Sequence, residues 1–227
     1  MSHAQNIARI RAVHQALGEL NQQVIYVGGA TVSLYADRPS GESRPTEDVD
    51  ILIELLNYSG YADFEEALRK KGFRNDTESG IICRYKVQGI IVDVMPTSGE
   101  VLGFTNLWYK EGFAQSMQKD IGNDCIIRLF QSPYFIASKL EAFKGRGTGD
   151  GRLSSDFEDI VFVLNNRQVI WEEMQTCSPH LKQYLKSEFE NLSKSNYLYE
   201  WVSAHLDYSE QRRTDFIIGG LEALITN

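Results

Sequence analysis

Two aspartates two residues apart open the apolar run DVDILIEL (48–55), and this start constrains the chain more than any other stretch. Side chains alternate along a strand, so Asp48 and Asp50 share one face, about 6–7 Å apart along the chain, while Val49 turns into the core. Leaving two carboxylates unpaired beside Ile-Leu-Ile would be costly. Two like charges held this closely repel, and a hard cation with oxygen ligands relieves the repulsion. A third acid, Asp93, interrupts the strand-like run IIVDVMP. If that strand adjoins the first, three carboxylates converge on one or two divalent ions. Taken singly, each has a plainer explanation: an Asp-x-Asp is an ordinary solvated strand start, and Asp93 could pair with Arg84 on a neighbouring strand. Arg84 itself suits either such an ion pair or a substrate contact.

Upstream, VIYV (24–27) reads as a short buried strand that ends at Gly28-Gly29, and ATVSLYA reads as a helix. A glycine pair between strand and helix lets the backbone approach a ligand closely, and a helix N-terminus favours anions. By itself such a pair means only a tight turn. Neither a Walker A lysine nor the dinucleotide glycine spacing is present downstream. Thr31 and Ser33 add hydroxyls near any bound phosphate.

The remaining elements emerge from periodicity. Ile7, Ile10, Val13, Leu17 and Leu20 mark an amphipathic opening helix. DRPSGESRPTE (37–47) is turn-rich, FEEALRKKGF (64–73) is a helix stopped at Gly72, and CIIRLF (125–130) is a strand. IICRYKV and GIIVDVMP form a hairpin about Gln88-Gly89. From Ser132 the texture turns helical: SPYFIASKLEAF runs to about Lys144, GRGTGDG breaks it, and SSDFEDIVFVLNN restarts it on a serine or aspartate cap. The expected architecture is α+β: a mixed β-sheet flanked by helices over 1–130, then a helical region over 131–227. Trp108, Tyr109 and Phe104 read as core, with stacking of one of them on a base as the alternative.

Lys139, Lys144, Arg146 and Arg152 form a cationic stretch that suits a helix C-terminus, or phosphates if any lie near. Asp156, Glu158 and Asp159 favour the next helix start; Asp159 reads as structural, paired with a basic residue of the preceding loop. Composition narrows the partners. Lys+Arg 23 against Asp+Glu 31 gives a net charge of −8, the opposite of a protein that coats nucleic acid. Any RNA contact must be a local basic patch. The three cysteines show no CxxC pair, as expected for free thiols in a reducing cytoplasm. The four histidines have no metal-ligand spacing. No membrane span or secretory signal is expected.

Together, Val-Gly-Gly, then TEDVD, then VDVMP resembles the nucleotidyltransferase superfamily related to DNA polymerase beta. KLEAFKGRGTGDGRLSSDFEDIVFVLNNR, GEVLGFTNLWY and SPYFIASKLEAF narrow the resemblance to the AbiEii/AbiGii toxin family, over roughly residues 24–170. The resemblance implies a Mg²⁺-dependent enzyme that moves a nucleoside monophosphate from an NTP to an acceptor hydroxyl and releases pyrophosphate. Gly28, Gly29 and Ser33 match the phosphate motif, and Asp48 and Asp50 the metal pair. Asp93 fits the third carboxylate, as ligand or as general base. Lys139 matches the lysine that contacts the triphosphate, and Lys144, Arg146 and Asp156 fall at the basic-loop and acidic motifs. Thr46 stands where many relatives carry serine. An RNA or tRNA 3′ end is the implied acceptor and a cognate antitoxin the implied partner. The acidic charge balance favours the alternative of a small cationic acceptor of the aminoglycoside kind. A catalytically silent NTP-binding or antitoxin-like module is a third reading, against which the intact carboxylates argue.

Overall fold

A computed structural model describes residues 2–38, 42–55, 58–103, 105–146 and 149–226. The loops expected over 37–47 and 145–151 lie partly outside these residues, and Phe104 lies wholly outside them. The chain divides into two compact units, Met1–Thr31 with Arg44–Gln131, and Val32–Ser43 with Ser132–Asn227. The fold is α+β, as the sequence implies.

In the first unit a seven-stranded mixed sheet has the order β3-β4-β5-β2-β1-β7-β6. Its strands are β1 (Val24–Val27), β2 (Asp48–Ile53), β3 (Arg74–Asn75), β4 (Arg84–Val87), β5 (Ile90–Pro96), β6 (Met117–Asp120) and β7 (Ile126–Leu129). Central β1 is buried at every position, the pattern of a strand covered on both faces. Helices α1 (Ser2–Leu17), α2 (Tyr58–Lys70), α3 (Gly99–Leu102) and α4 (Tyr109–Ala114) complete the unit. The apolar stripe Ile7, Ile10, Val13 and Leu17 of α1 is buried as its spacing predicts, and Trp108 is core. Gln88 and Gly89 both have positive φ, 50° and 80°, the geometry that a two-residue hairpin turn between β4 and β5 requires.

Residues 29–35 form a 3₁₀ helix (Gly29–Tyr35) instead of the expected α-helix. β-branched Thr31 and Val32, with buried Ala30, Leu34 and Tyr35 around them, leave a seven-residue segment without an exposed face.

The second unit is helical: α5 (Ser132–Arg146), α6 (Ser155–Asn166), α7 (Ile170–Thr176), α8 (Pro179–Ser193), α9 (Leu198–Ala204) and α10 (Arg213–Thr226). Ser154 caps α6, its hydroxyl accepting from the Phe157 N–H at 3.2 Å. Phe143, Phe157 and Trp201 pack edge-on and tilted in its core. No helix among the described residues is long and apolar enough to cross a membrane.

Candidate active site

Strand register builds the site. Antiparallel β4 and β5 place Arg84 opposite Asp93, parallel β5 and β2 place Asp93 opposite Asp50, and antiparallel β2 and β1 place Asp50 opposite Val27. Residues paired across a sheet point to the same face, so Arg84, Asp93 and Asp50 form a transverse row. Asp48, two residues before Asp50, joins that face. Oxygens of Asp48, Asp50 and Asp93 lie within 4.8 Å of one another. Three carboxylates at this spacing are a hard-oxygen donor set, which fits an oxygen-preferring divalent cation.

Arg84 is the cation that the fold itself supplies. Its Nε donates to Asp93 Oδ1 at 2.8 Å and its Nη2 to Asp93 Oδ2 at 2.7 Å, a two-point fork. The same Nη2 reaches Asp48 Oδ2 at 3.4 Å. Of the two readings open for Arg84, the ion pair is present. The fork to Asp93 holds the guanidinium pKa above its ordinary value, against the opposing effect of burial. Next to it, burial and then the charge of Asp93 push the Cys83 thiol up to about 11.

The glycine pair has a local reason. Gly28 has φ of 72°, and a Cβ there would lie 1.8 Å from Asp50 Oδ2. Only glycine lets the Asp50 carboxylate rest on the turn. At Gly29 a Cβ would lie 2.2 Å from Arg44 Nη2 and 2.9 Å from Thr46 Cγ2. Gly28→Ala is expected to cost at least ~1–2 kcal/mol from the left-handed backbone alone, and to push the Asp50 carboxylate aside. Thermal denaturation reads the first effect and a Mn²⁺ titration the second.

Three contributors escaped sequence reasoning. Arg44 places its guanidinium over Gly29, from a loop whose Pro, Gly and Ser content reads as turn-rich. Asn6 is fully buried on α1. Its Nδ2 donates to Arg44 O at 3.2 Å, and its Oδ1 accepts from Thr46 N at 3.3 Å and Thr46 Oγ1 at 3.2 Å. Arg9, one turn along α1, donates to Thr46 O. The first helix thereby pins the loop that leads into Asp48, and Thr46 Oγ1 lies 3.3 Å from the Asp48 carbonyl. Asn6→Ala is expected to destabilise the protein by ~1–3 kcal/mol, because the loop loses buried partners; urea denaturation measures it.

The remaining predicted residues belong to the second unit. Lys139 on α5 is buried and paired with Asp159 Oδ2 at 2.7 Å and Asp156 Oδ1 at 3.0 Å. Three-residue spacing sets both acids on one face of α6. Asp159 is in an ion pair, as expected, but its partner is a lysine of the preceding helix and not a residue of the loop. Arg146 also reaches Asp156, at 3.2 Å. Lys144 is exposed and held by Glu141 at 2.8 Å and Glu188 at 2.9 Å. Arg152 pairs with Asp150 and Glu200. Ser33 is half-buried late in the 3₁₀ segment.

No protein-family model matches the chain, and no curated protein matches it. A crystal structure described as that of a "putative nucleotidyltransferase from H. pylori" is similar over 98% of this chain and 95% of that chain, with a TM-score of 0.43 and 12% identity. The functional reading rests on the arrangement of the residues and not on this likeness.

Proposed function

We propose that the chain is a Mg²⁺-dependent nucleotidyltransferase. The observation that carries this reading is the convergence of Asp48, Asp50 and Asp93 on one sheet face, with Asp50 resting on the Gly28 turn. Asp48, Asp50 and Asp93 would hold the ion. When bound, Mg²⁺ supplies charge neutralisation for the triphosphate and favours ionisation of an attacking hydroxyl.

The chain's own groups do the rest. Gly28 and Gly29 are the phosphate-binding turn on the strength of the resemblance, and the Arg44 guanidinium lies over Gly29. The acceptor oxygen forms its bond to the α-phosphorus as the bond to the bridging oxygen of the β-phosphate breaks. Pyrophosphate departs with that electron pair, and the hydroxyl proton passes to a carboxylate or to water. Ser33, Lys139, Lys144, Arg146 and Asp156 enter as further nucleotide contacts on the strength of the resemblance to the AbiEii/AbiGii toxin family. That resemblance also favours an RNA 3′ end as acceptor and an antitoxin as partner. The net charge of −8 favours a second acceptor class, a small cationic molecule.

Incubation with each α-labelled NTP, Mg²⁺ and either total RNA or aminoglycosides tests the acceptor. Labelled RNA supports the first class, and labelled small molecule alone supports the second. NTP binding that depends neither on Mg²⁺ nor on Asp48, with no transfer to either acceptor, would leave a silent module.

A further inference from the structure

The second unit carries a groove that the acid cluster does not use. It lies between α7 and α10, where Trp171, Phe216, Gly219 and Leu224 line it together with Glu172 and Asp215. Its volume is about 530 Å³. Along α10 the lining positions 215/216, 219/220 and 223/224 follow at four-residue steps, so they form one stripe. At roughly 1.5 Å per residue this stripe is about 13 Å long, more than two helical turns. Aromatic groups wall it. Trp171 and Phe216 meet edge to face with ring centres 6.3 Å apart, and Phe216 is 45% exposed. Tyr199, 52% exposed, donates to Asp215 Oδ1 at 3.1 Å and extends the aromatic surface onto α9. Large aromatic groups left together in water have the composition of a protein interface.

The two glycines of α10 have different reasons. A Cβ on Gly220 would lie 2.4 Å from Trp171 Cζ2, so the indole requires glycine there. A Cβ on Gly219 would meet nothing within 4 Å. Glycine inside a helix is less favourable than alanine, yet no neighbouring side chain calls for it at Gly219. What it does is keep the stripe flat, so that another backbone can come close. Charge then selects the visitor. The lining holds two carboxylates, Glu172 on α7 and Asp215 on α10, and no basic side chain. Glu222 is exposed on α10 as well. Arg213 lies over the Phe216 ring at 4.5 Å, but its Nη2 is tied to Asn165 O at 2.8 Å. A cationic side chain entering the groove therefore finds a carboxylate on each of its two helices.

We propose that the α7–α10 groove docks an amphipathic helix of a partner protein, with apolar side chains against Trp171 and Phe216 and lysines or arginines toward Glu172 and Asp215. Gly219 sets how closely the two backbones approach. The groove shares no residue with the acid cluster, so docking is independent of nucleotidyl transfer.

Fluorescence anisotropy measures the binding of two labelled synthetic peptides of about 18 residues, long enough to be helical. One carries Leu at i, i+3, i+4 and i+7 with Lys elsewhere; the other keeps the Leu and has Glu in place of Lys. The Lys peptide is expected to bind wild type, and the Glu peptide to bind roughly tenfold more weakly or worse. Gly219→Leu fills the groove from a position where the fold has open space, so its thermal midpoint should match or exceed that of wild type. Its affinity for the Lys peptide should fall roughly tenfold or more. Ala223→Arg blocks the same stripe by bulk and charge, and serves if Gly219→Leu does not fold. Glu172→Lys should weaken binding and flatten its dependence on salt. Equal affinity in wild type, Gly219→Leu and Ala223→Arg would place the peptide elsewhere and overturn the proposal, as would absence of binding to wild type. Equal affinity for the Glu peptide would overturn the basic character of the partner. Sedimentation tests a second copy of this chain as occupant: a wild-type dimer that Gly219→Leu dissociates would overturn the partner reading.

Discussion

Asp50→Asn is expected to remove nucleotidyl transfer almost completely while leaving the protein as stable as before, or more so. Asp50 ends the transverse row of charged groups: it lies opposite Asp93 on one side, against the Gly28 turn on the other, and two residues from Asp48. Loss of its charge removes a ligand from the cluster. The metal's contribution to transition-state charge is several kcal/mol, and ~4 kcal/mol corresponds to roughly a thousandfold in rate. The same substitution relieves repulsion between carboxylates whose oxygens lie within 4.8 Å. Asparagine keeps the shape that Gly28 accommodates. A rate near background with an unchanged or raised thermal midpoint is the signature of a site that holds strain for function. Equal losses in both would mark Asp50 as merely structural.

Lys139→Met should have the largest effect on stability, in the other unit. Methionine fills the space but leaves Asp156 and Asp159 buried with their principal cation gone. Breaking a buried ion pair from one side costs ~3–5 kcal/mol, enough to threaten a domain whose whole stability is ~5–15 kcal/mol. Lys139→Met combined with Asp159→Leu should recover much of the loss, because an apolar replacement of both partners leaves less charge uncompensated. Burial opposes the ammonium charge of Lys139, but Asp159 and Asp156 outweigh it, so its folded-state pKa lies above the ordinary 10.5. Its stabilisation is therefore fully present below the unfolded value and is lost as pH rises through the higher folded one. Urea denaturation of wild type should weaken in that alkaline window, and Lys139→Met should lack this component of the decline. NTP affinity of the folded Lys139→Met protein separates the two duties. If the lysine only ties α5 to α6, affinity is unchanged; if it also contacts the triphosphate, affinity falls.

Much of the sheet was legible because its strands are short, apolar and punctuated. VIYV matches β1 to the residue, and the Gln88-Gly89 turn fixes the β4–β5 register. Acids placed in apolar runs pointed to the cluster, since burial without a partner is costly. The exact row was not legible. Asp50 meets Asp93 through a parallel pairing between strands separated by a helix, β3 and β4, and nothing local encodes that register. Asn6 was invisible for a different reason: a polar residue in an amphipathic helix reads as solvent-facing until the loop it pins is in place. Arg44 was hidden by the turn chemistry around it. The 3₁₀ form of 29–35 reflects tertiary burial of nearly every side chain, which overrides an otherwise ordinary helical pattern. In the second unit, the periodicity located α5 and α6, yet only packing brings Lys139 onto Asp159.

The central claim is that the cluster on this sheet face transfers a nucleoside monophosphate and discards pyrophosphate. Parallel reactions with α-labelled and γ-labelled NTP, with and without Mg²⁺, test it most directly. The account predicts Mg²⁺-dependent label on the acceptor from the α position alone, with the γ label recovered as pyrophosphate, and neither product from Asp48→Ala. Transfer of the γ label to the acceptor, or α transfer that persists in Asp48→Ala, would contradict it.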